Sequence, residues 1–153
     1  MDAATVEVYE RVAREYTARR RPRRKDDAIA FGAGIAPGAW RADLGSGSGR
    51  YTPYLGTPVL ALDAAAAMLA LADSGTRVRG DLERPPLRRG ALAGAWANFS
   101  YHHVPRARVP LALAHLHDAL QVGAPLWMSL PTPPGDDDFP GRLFERWGAD
   151  EIA

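Results

Sequence analysis

Residues 42–49 limit how this chain can fold more than any other stretch, because a short apolar strand runs directly into a glycine-rich loop, Ala-Asp-Leu-Gly-Ser-Gly-Ser-Gly. A second apolar run, Val59 to Leu62, follows and stops at Asp63. Glycines at alternate positions let the backbone turn tightly and approach a ligand closely. A carboxylate at the tip of the next strand can accept two hydrogen bonds from a ribose diol. The pattern therefore predicts a strand, a glycine loop, a short helix and a second strand ending in an acid, which together form a site for a nucleoside cofactor.

The spacing of the glycines narrows the choice of nucleoside. A dinucleotide-binding loop needs a small third residue in Gly-x-Gly-x-x-Gly/Ala, and counting from Gly45 puts Arg50 there. Counting from Gly47 puts Thr52 there. A phosphate-binding P-loop needs Gly-Lys-Ser/Thr after the loop, which is also missing. Asp43 precedes the loop, where a carboxylate can hold an amino-acid ammonium group and would repel phosphates. Both phosphate-binding interpretations are therefore weakened.

With these features the chain resembles the class I S-adenosylmethionine-dependent methyltransferases, in order and along nearly its whole length. Residues 43–49 resemble the family's glycine motif, and residues 59–68 its second strand and the helix that follows. Residues 95–104 resemble the fourth-strand motif, and residues 120–126 the turn into the fifth strand. The resemblance implies a Rossmann-like three-layer α/β sandwich with a mostly parallel sheet. About five strands of the seven-stranded methyltransferase fold are expected, without its last two.

The resemblance also implies the cofactor, S-adenosyl-L-methionine, and the residues that hold it. Asp43, Asp63 and Asp81 are expected to contact its ammonium, ribose and adenine parts in turn. Asp63 can also cap the helix after it, which is compatible with ribose binding. Tyr16 is expected to cover the cofactor from the first helix, although a core aromatic of that helix explains it equally well. The residues expected to bind the cofactor are Tyr16, Asp43, Gly45, Ser46, Gly47, Gly49, Asp63, Ala64, Met68, Asp81, Leu82 and Asn98.

Two histidines end the predicted fourth strand, at the mouth where the transferred methyl group would lie. Methyl transfer needs the nucleophile, the methyl carbon and the sulfur in line, and some acceptors need a base to remove a proton. Histidine is suited to that role near neutral pH. His102 and His103 are therefore the expected catalytic residues, with packing at the strand end as the alternative. His115 and His117 are two apart on a helix, point to different faces and make a poor metal pair, so we expect surface positions for both and no metal site.

Composition excludes several other classes of protein. Hydrophobic residues make up 46% and charged residues 24%, which is typical of a globular domain, and the net charge of +1 gives no general attraction to nucleic acid or membrane. The absence of cysteine excludes disulfides, thiolate metal sites and a cysteine nucleophile. The start of the chain lacks a secretory signal pattern, and no apolar run reaches the roughly 20 residues that cross a bilayer. We therefore expect a cytoplasmic protein, in which the basic run 19–25 is a solvated helix end rather than a contact for nucleic acid or an acidic substrate.

The pattern along the chain predicts a single domain over residues 1–153. It divides into an N-terminal helical cap (1–38), a cofactor-binding core (39–130) and the start of an incomplete C-terminal part (131–153). Hydrophobic runs predict strands over 40–44, 59–62, 77–80, 92–99 and 126–130. Helical spacing predicts helices around Tyr9 to Tyr16 and over 64–72 and 106–121, with one more beginning at residue 144.

The chain departs from its family after the fifth strand, because family members continue into two further strands. In that fold the seventh strand pairs beside the fifth. Without it, residues 126–130 would form an exposed apolar edge, through which the chain could self-associate. The chain is therefore expected to be a methyltransferase, apparently truncated, that acts on a small-molecule acceptor. The alternatives are a non-catalytic S-adenosylmethionine-binding remnant and, disfavoured by Arg50, an NAD-binding oxidoreductase module.

Overall fold

The computed structural model describes residues 1–132 and 139–151. Its centre is a sheet of five strands: β1 (Arg41–Leu44), β2 (Val59–Asp63), β3 (Thr76–Arg79), β4 (Gly94–Asn98) and β5 (Leu126–Ser129). All neighbouring strands are parallel, in the order β3-β2-β1-β4-β5. The carboxyl ends of the strands therefore meet at one edge, and the loops after β1, β2 and β4 lie together there. The predicted Rossmann-like parallel sheet is confirmed.

Four α-helices flank the sheet in the described part of the chain: α1 (Ala3–Arg19), α2 (Lys25–Ala33), α3 (Ala66–Leu69) and α4 (Val109–Ala119). Single 3₁₀ turns occupy Thr52–Tyr54, Tyr101–His103, Arg106–Arg108 and Ala149–Glu151. The predicted helix over 106–121 is therefore a 3₁₀ turn followed by α4. Helix α2 was not predicted, because its glycine at position 32 suggested a chain break. Gly32 instead packs against the Leu55 backbone, where an added Cβ would lie 2.6 Å from the carbonyl group.

Helix α1 is held in place by contacts at its first turn and near its middle. The Asp2 carboxylate accepts a hydrogen bond from the Thr5 amide (2.8 Å), an N-cap that starts the helix. One turn later, the Glu10 carboxylate accepts hydrogen bonds from the amides of Ala66 (2.7 Å) and Ala67 (2.8 Å), the first residues of α3. Because Glu10 supplies this cap from another element, α3 begins at residue 66 rather than 64 as predicted. The contact fixes α1 across the carboxyl edge of the sheet.

The core lies on both faces of the central strands. Trp96 of β4 is fully buried and stacks on Trp127 of β5, with ring centroids 3.7 Å apart. On the other face Leu44 and Leu62 join Leu116 from α4 in one apolar cluster. The large buried side chains hold β1, β2 and β4 in register, so the loops that follow these strands have a rigid base.

The chain from residue 139 onward crosses the carboxyl edge of the sheet, and the helix predicted to begin at residue 144 is wrong for the described residues. The amide of Glu145 donates to the carbonyl of His102 (2.9 Å), and that of Trp147 to the carbonyl of Pro131 (3.0 Å). These amides bond to loops of the sheet instead of forming a helical ladder. The segment thereby becomes a wall over the end of β4.

Strand β5 is the edge of the sheet in the described part of the chain, as the sequence predicted. Leu126 is 39% exposed there. Self-association through this edge stays a prediction. Among the described residues, no helix has the length and apolar character needed to cross a membrane.

Candidate active site

The loop after β1 contains three glycines in the left-handed region of backbone space. Gly45 has φ +65°, Gly47 +57° and Gly49 +74°, conformations that residues with a side chain rarely adopt. A Cβ at Gly45 would lie 2.4 Å from the Cβ of Ser100, and one at Gly47 would lie 2.9 Å from Cε of Met68. Both the backbone angles and the close neighbours therefore require glycine. The loop closes tightly over the end of the sheet.

Asp63, the last residue of β2, holds this loop in place. Its Oδ2 accepts a hydrogen bond from the Gly47 amide (2.8 Å), and its Oδ1 accepts one from the Ala65 amide (2.9 Å). Burial raises the pKa of the Asp63 carboxyl, while these amide hydrogen bonds oppose the rise. The carboxylate is thus fixed between the glycine loop and the turn after β2. It faces the cavity described below.

Asp43 lies beneath the glycine loop and is 2% exposed. The described residues give its carboxylate one hydrogen-bond donor, the hydroxyl of Thr52 at 2.8 Å. Burial raises the pKa of the Asp43 carboxyl to about 7, the nearby charge of Asp63 adds to the rise, and the Thr52 bond and Arg50 oppose it. A buried carboxylate with a single donor is well suited to a cationic ligand group. The sequence alone left three partners open for a buried Asp43, namely a ligand ammonium group, the glycine-loop amides or an arginine. Among the described residues, the hydrogen-bond donor is instead the Thr52 hydroxyl.

A cavity of about 500 Å³ opens at this edge of the sheet, between the glycine loop, α1 and the 139–151 segment. This volume lies within the range of small-molecule sites. Of the residues predicted to bind the cofactor or act in catalysis, those lining the cavity are Tyr16, Asp43, Gly45, Ser46, Gly47, Asp63, Met68, Leu82, Asn98, His102 and His103. Three predicted residues, Gly49, Ala64 and Asp81, do not line it. The structure therefore brings most of the predicted site together.

Asp81 has a different partner from the one expected. Its carboxylate accepts hydrogen bonds from the N-terminal ammonium group of Met1 at 2.5 Å, and Glu83 forms an ion pair with the same group. Met1 itself lines the cavity. The adenine contact of Asp81 thus remains a prediction, and the structure places the chain's own ammonium group at that carboxylate.

The two histidines lie in the cavity wall, and both are buried. The hydroxyl of Tyr9 donates to Nε2 of His103 (2.8 Å), while Nδ1 of the same ring donates to the carbonyl of Leu143 (2.6 Å). The guanidinium of Arg142 donates in turn to the Tyr9 oxygen (2.5 Å). Burial lowers the pKa of His103 to about 4 and that of His102 to about 2. The expectation that these histidines titrate near neutral pH is therefore wrong, because both are desolvated and remain neutral there.

Three buried polar atoms without partners belong to residues that line the same cavity. The hydroxyls of Ser46 and Ser100 and Nδ1 of His102 have no hydrogen-bond partner among the described residues, and all three residues line the cavity. Buried polar groups in folded proteins are almost always hydrogen-bonded. Three orphaned atoms around one cavity, together with two carboxylates, are suited to a ligand with several polar groups. The residues present therefore fit an amino-acid nucleoside such as S-adenosylmethionine.

Sequence reasoning missed several residues that form this site. Tyr9 was seen only as part of a helical apolar pattern, and Ser100 only as part of the fourth-strand motif. Arg142 precedes the helix predicted to begin at residue 144, in a stretch for which no element was predicted. The basic run, predicted to be a solvated helix end, also contributes arginines 19, 20, 21, 23 and 24 to the cavity mouth. The signal that could have indicated this is the position of the run, directly after the helix that carries Tyr16.

Among the described residues, no cluster of three or more histidine, cysteine or acidic side chains is arranged to hold a metal ion. His117 is exposed, as expected, but His115 is half-buried, because its Nδ1 donates to the carbonyl of Glu83 (2.6 Å). Neither histidine belongs to the cavity.

Comparison with solved structures shows the same fold in several proteins. The DhpI-SAH complex is similar to this chain with a TM-score of 0.71 and 20% identity, over 97% of this chain and 82% of that one. A possible histamine N-methyltransferase from Thermotoga maritima has a TM-score of 0.71 and 16% identity, over 95% and 76% of the two chains. Phosphoethanolamine N-methyltransferase 2 of Haemonchus contortus, in complex with S-adenosyl-L-methionine, has a TM-score of 0.64 and 16% identity, over 83% and 34%.

Comparison with curated protein sequences found no match. The sequence profile of the family described as "Methyltransferase domain" matches residues 42–128, which is more than half of the chain. The matched region begins at β1, contains the glycine loop and Asp63, and ends in β5. The chain therefore belongs to the methyltransferase domain family, as a member with an S-adenosylmethionine-dependent methyltransferase fold.

Proposed function

We propose that this chain binds S-adenosyl-L-methionine in the cavity at the carboxyl edge of the sheet and transfers its methyl group to a small-molecule acceptor. The observation that carries the proposal is the convergence of the glycine loop, two carboxylates and three orphaned buried polar atoms on one cavity. When bound, the cofactor supplies a methyl group made electrophilic by the positive sulfur that carries it. The cavity volume of about 500 Å³ supports an acceptor of small-molecule size.

In this proposal, different residues of the cavity bind different parts of the cofactor. Asp43 binds the ammonium group, because it is a buried carboxylate with one described donor. Asp63 accepts hydrogen bonds from the ribose hydroxyls while its amide contacts keep it rigid. Met68 and Leu82 are buried and supply apolar wall. From the resemblance to the family, we propose further contacts with the cofactor by eight residues: Tyr16, Gly45, Ser46, Gly47, Gly49, Ala64, Asp81 and Asn98.

His103 and Tyr9 form the proton-handling part of the proposed site. The hydrogen bond to Leu143 holds the proton of His103 on Nδ1, so its Nε2 lone pair receives the hydroxyl of Tyr9. A proton released by the acceptor can pass to the Tyr9 oxygen as the Tyr9 proton passes to His103. His102 lies against His103, with ring centroids 3.8 Å apart, and limits how that ring can turn. Both histidines therefore act on the acceptor side rather than on the cofactor.

The test is the release of S-adenosylhomocysteine in the presence of a panel of small-molecule acceptors. We expect acceptor-dependent release by the wild-type chain, and a loss of turnover of about 100-fold in His103→Ala, the lower end of the range for a proton-transfer group. The affinity for S-adenosylhomocysteine should change less than threefold in that variant. Tyr9→Phe keeps the ring and should lower turnover in the same way, whereas exposed His117→Ala should not.

Equal turnover in His103→Ala and the wild type would remove His103 from the mechanism. Binding of S-adenosylhomocysteine without release for any acceptor would favour the non-catalytic remnant. Either result leaves the cofactor site in place, so the two halves of the proposal can fail separately.

A further inference from the structure

The mouth of the cavity carries far more positive charge than the chain as a whole. The described residues that line it include seven arginines and two aspartates, whereas the entire chain has a net charge of only +1. Five of the arginines come from residues 19–24, which comprise the last residue of α1 and the connection to α2, and the others are Arg50 and Arg142. Concentration of one sign of charge around a cleft raises the local concentration of ligands of the opposite sign.

Aromatic rings hold part of this arginine set in position. The guanidiniums of Arg20 and Arg50 lie over the ring of Tyr16, at 5.3 and 5.7 Å from its centroid. Arg142 lies over the ring of Phe139 at 5.5 Å. A guanidinium stacked on a ring keeps its N–H donors in the plane of the group, so it loses less freedom when it binds an anion. These three arginines at the mouth are therefore preorganised for anion recognition.

The cofactor alone cannot balance this charge. S-adenosylmethionine has one carboxylate but also an ammonium group and a positive sulfur, so its own charge is positive. Within the protein, Arg19 pairs with Glu15 and Arg24 pairs with Asp27. Arg21, Arg23 and Arg50 have no ion pair with any described residue. One cofactor carboxylate accounts for one of these three guanidiniums, which leaves two available at the mouth to bind another anion.

We infer that the methyl acceptor is a small anionic molecule carrying a phosphoryl or carboxylate group, which Arg21 and Arg23 recognise at the cavity mouth beside Arg50. Guanidinium forks match both groups through paired N–H donors. The inference rests on the proposed function, because it names the class of acceptor for that same site. It replaces the sequence-based interpretation of the basic run as a solvated helix end.

The test titrates simple anions into protein already saturated with S-adenosylhomocysteine. Phenyl phosphate and benzoate separate the phosphoryl from the carboxylate form, and benzamide is the neutral match for benzoate. We expect at least one anion to bind and benzamide not to bind. In the double variant Arg21→Gln/Arg23→Gln the anion affinity should fall at least tenfold, with S-adenosylhomocysteine affinity changed less than threefold. The matched control, Arg88→Gln/Arg89→Gln, alters two exposed arginines outside the cavity and should change anion affinity less than twofold.

Several results would overturn the inference. Benzamide could bind as well as benzoate, or the anion affinity could be unchanged in Arg21→Gln/Arg23→Gln. A short RNA hairpin could also bind more tightly than phenyl phosphate at 150 mM salt and be released by that same variant, which would make nucleic acid the partner. If S-adenosylhomocysteine binds and no anion does, the acceptor class is wrong while the proposed function stands. If S-adenosylhomocysteine does not bind, the proposed function fails as well.

Discussion

Replacing Asp43 by asparagine should stabilise the fold at alkaline pH and remove a pH dependence that the wild type has. Burial raises the pKa of this carboxyl from 3.8 to about 7. In the unfolded chain the group ionises near its ordinary value, so the wild type loses stability as pH rises between about 4 and 7. At 1.36 kcal/mol per pH unit, the full loss is about 4 kcal/mol. Asparagine has no charge to desolvate, and its amide oxygen can still accept the hydrogen bond from Thr52.

The assay is urea unfolding of both proteins at pH 5 and pH 8, followed by tryptophan fluorescence. The stability gained by Asp43→Asn should be about 2.5 kcal/mol larger at pH 8 than at pH 5, because from pH 5 to about 7 the carboxyl is ionised in the unfolded chain but still protonated in the native state. Exposed Asp73→Asn is the control and should show no such difference. An equal effect of Asp43→Asn at both pH values would refute the assignment of a raised pKa to this buried group.

The same substitution tests the proposed ammonium contact. If the ligand ammonium pairs with ionised Asp43, the affinity of the wild type for S-adenosylhomocysteine should fall about tenfold from pH 8 to pH 6, since the carboxyl must lose a proton to bind. Asp43→Asn should bind more weakly at pH 8 and show no such fall. A wild type whose affinity is constant over this range would contradict the contact while leaving the stability result unaffected.

Two further substitutions test the framework of the site. Gly45→Ala would place a Cβ 2.4 Å from that of Ser100, so it should weaken S-adenosylhomocysteine binding more than tenfold and lower the melting temperature, both measurable in one thermal-shift titration. The control is Gly90→Ala, because Gly90 has the same φ of +65° but no neighbour within 4 Å of an added Cβ. It should lower the free energy of unfolding only by the backbone strain, about 1 kcal/mol. Equal losses of stability in the two variants would show that the clash with Ser100 is unimportant. Trp96→Ala removes a fully buried ring stacked on Trp127 and should destabilise the fold by about 3–5 kcal/mol in urea unfolding. A loss under 1 kcal/mol would show that this stack does not hold β4 and β5 together.

Local sequence patterns were sufficient to predict that the glycine loop and Asp63 lie together at one edge of the sheet. The glycine loop and Asp63 are separated by one loop and one strand, and parallel pairing of β1 with β2 brings them together without information from the rest of the chain. The structure shows the contact that joins them, a hydrogen bond from the Gly47 amide to the Asp63 carboxylate. The need for a partner for Asp43 also followed from the cost of burying a lone carboxylate.

The sequence placed His103 at the end of the fourth strand, but its hydrogen-bonded neighbours could not be predicted in the same way. Tyr9, His103 and Arg142 are far apart in sequence and meet only because α1 and the 139–151 segment cross the end of β4. The ordinary pKa of histidine suggested a base near neutral pH, but burial of these rings depends on that same tertiary packing. In the described residues after β5, the amides of Glu145 and Trp147 bond to carbonyls of distant loops, and no local sequence pattern indicates such contacts.

Calorimetric titration of the purified chain with S-adenosylhomocysteine and, separately, with NAD tests the central claim most directly. The account predicts saturable binding of one S-adenosylhomocysteine per chain, no binding of NAD, and at least tenfold weaker binding by Asp63→Ala, a loss of about 1.4 kcal/mol or more. Exposed Asp73→Ala should bind like the wild type. Binding of NAD instead, binding of neither nucleoside, or full S-adenosylhomocysteine affinity in Asp63→Ala would contradict the assignment of this cavity to S-adenosylmethionine.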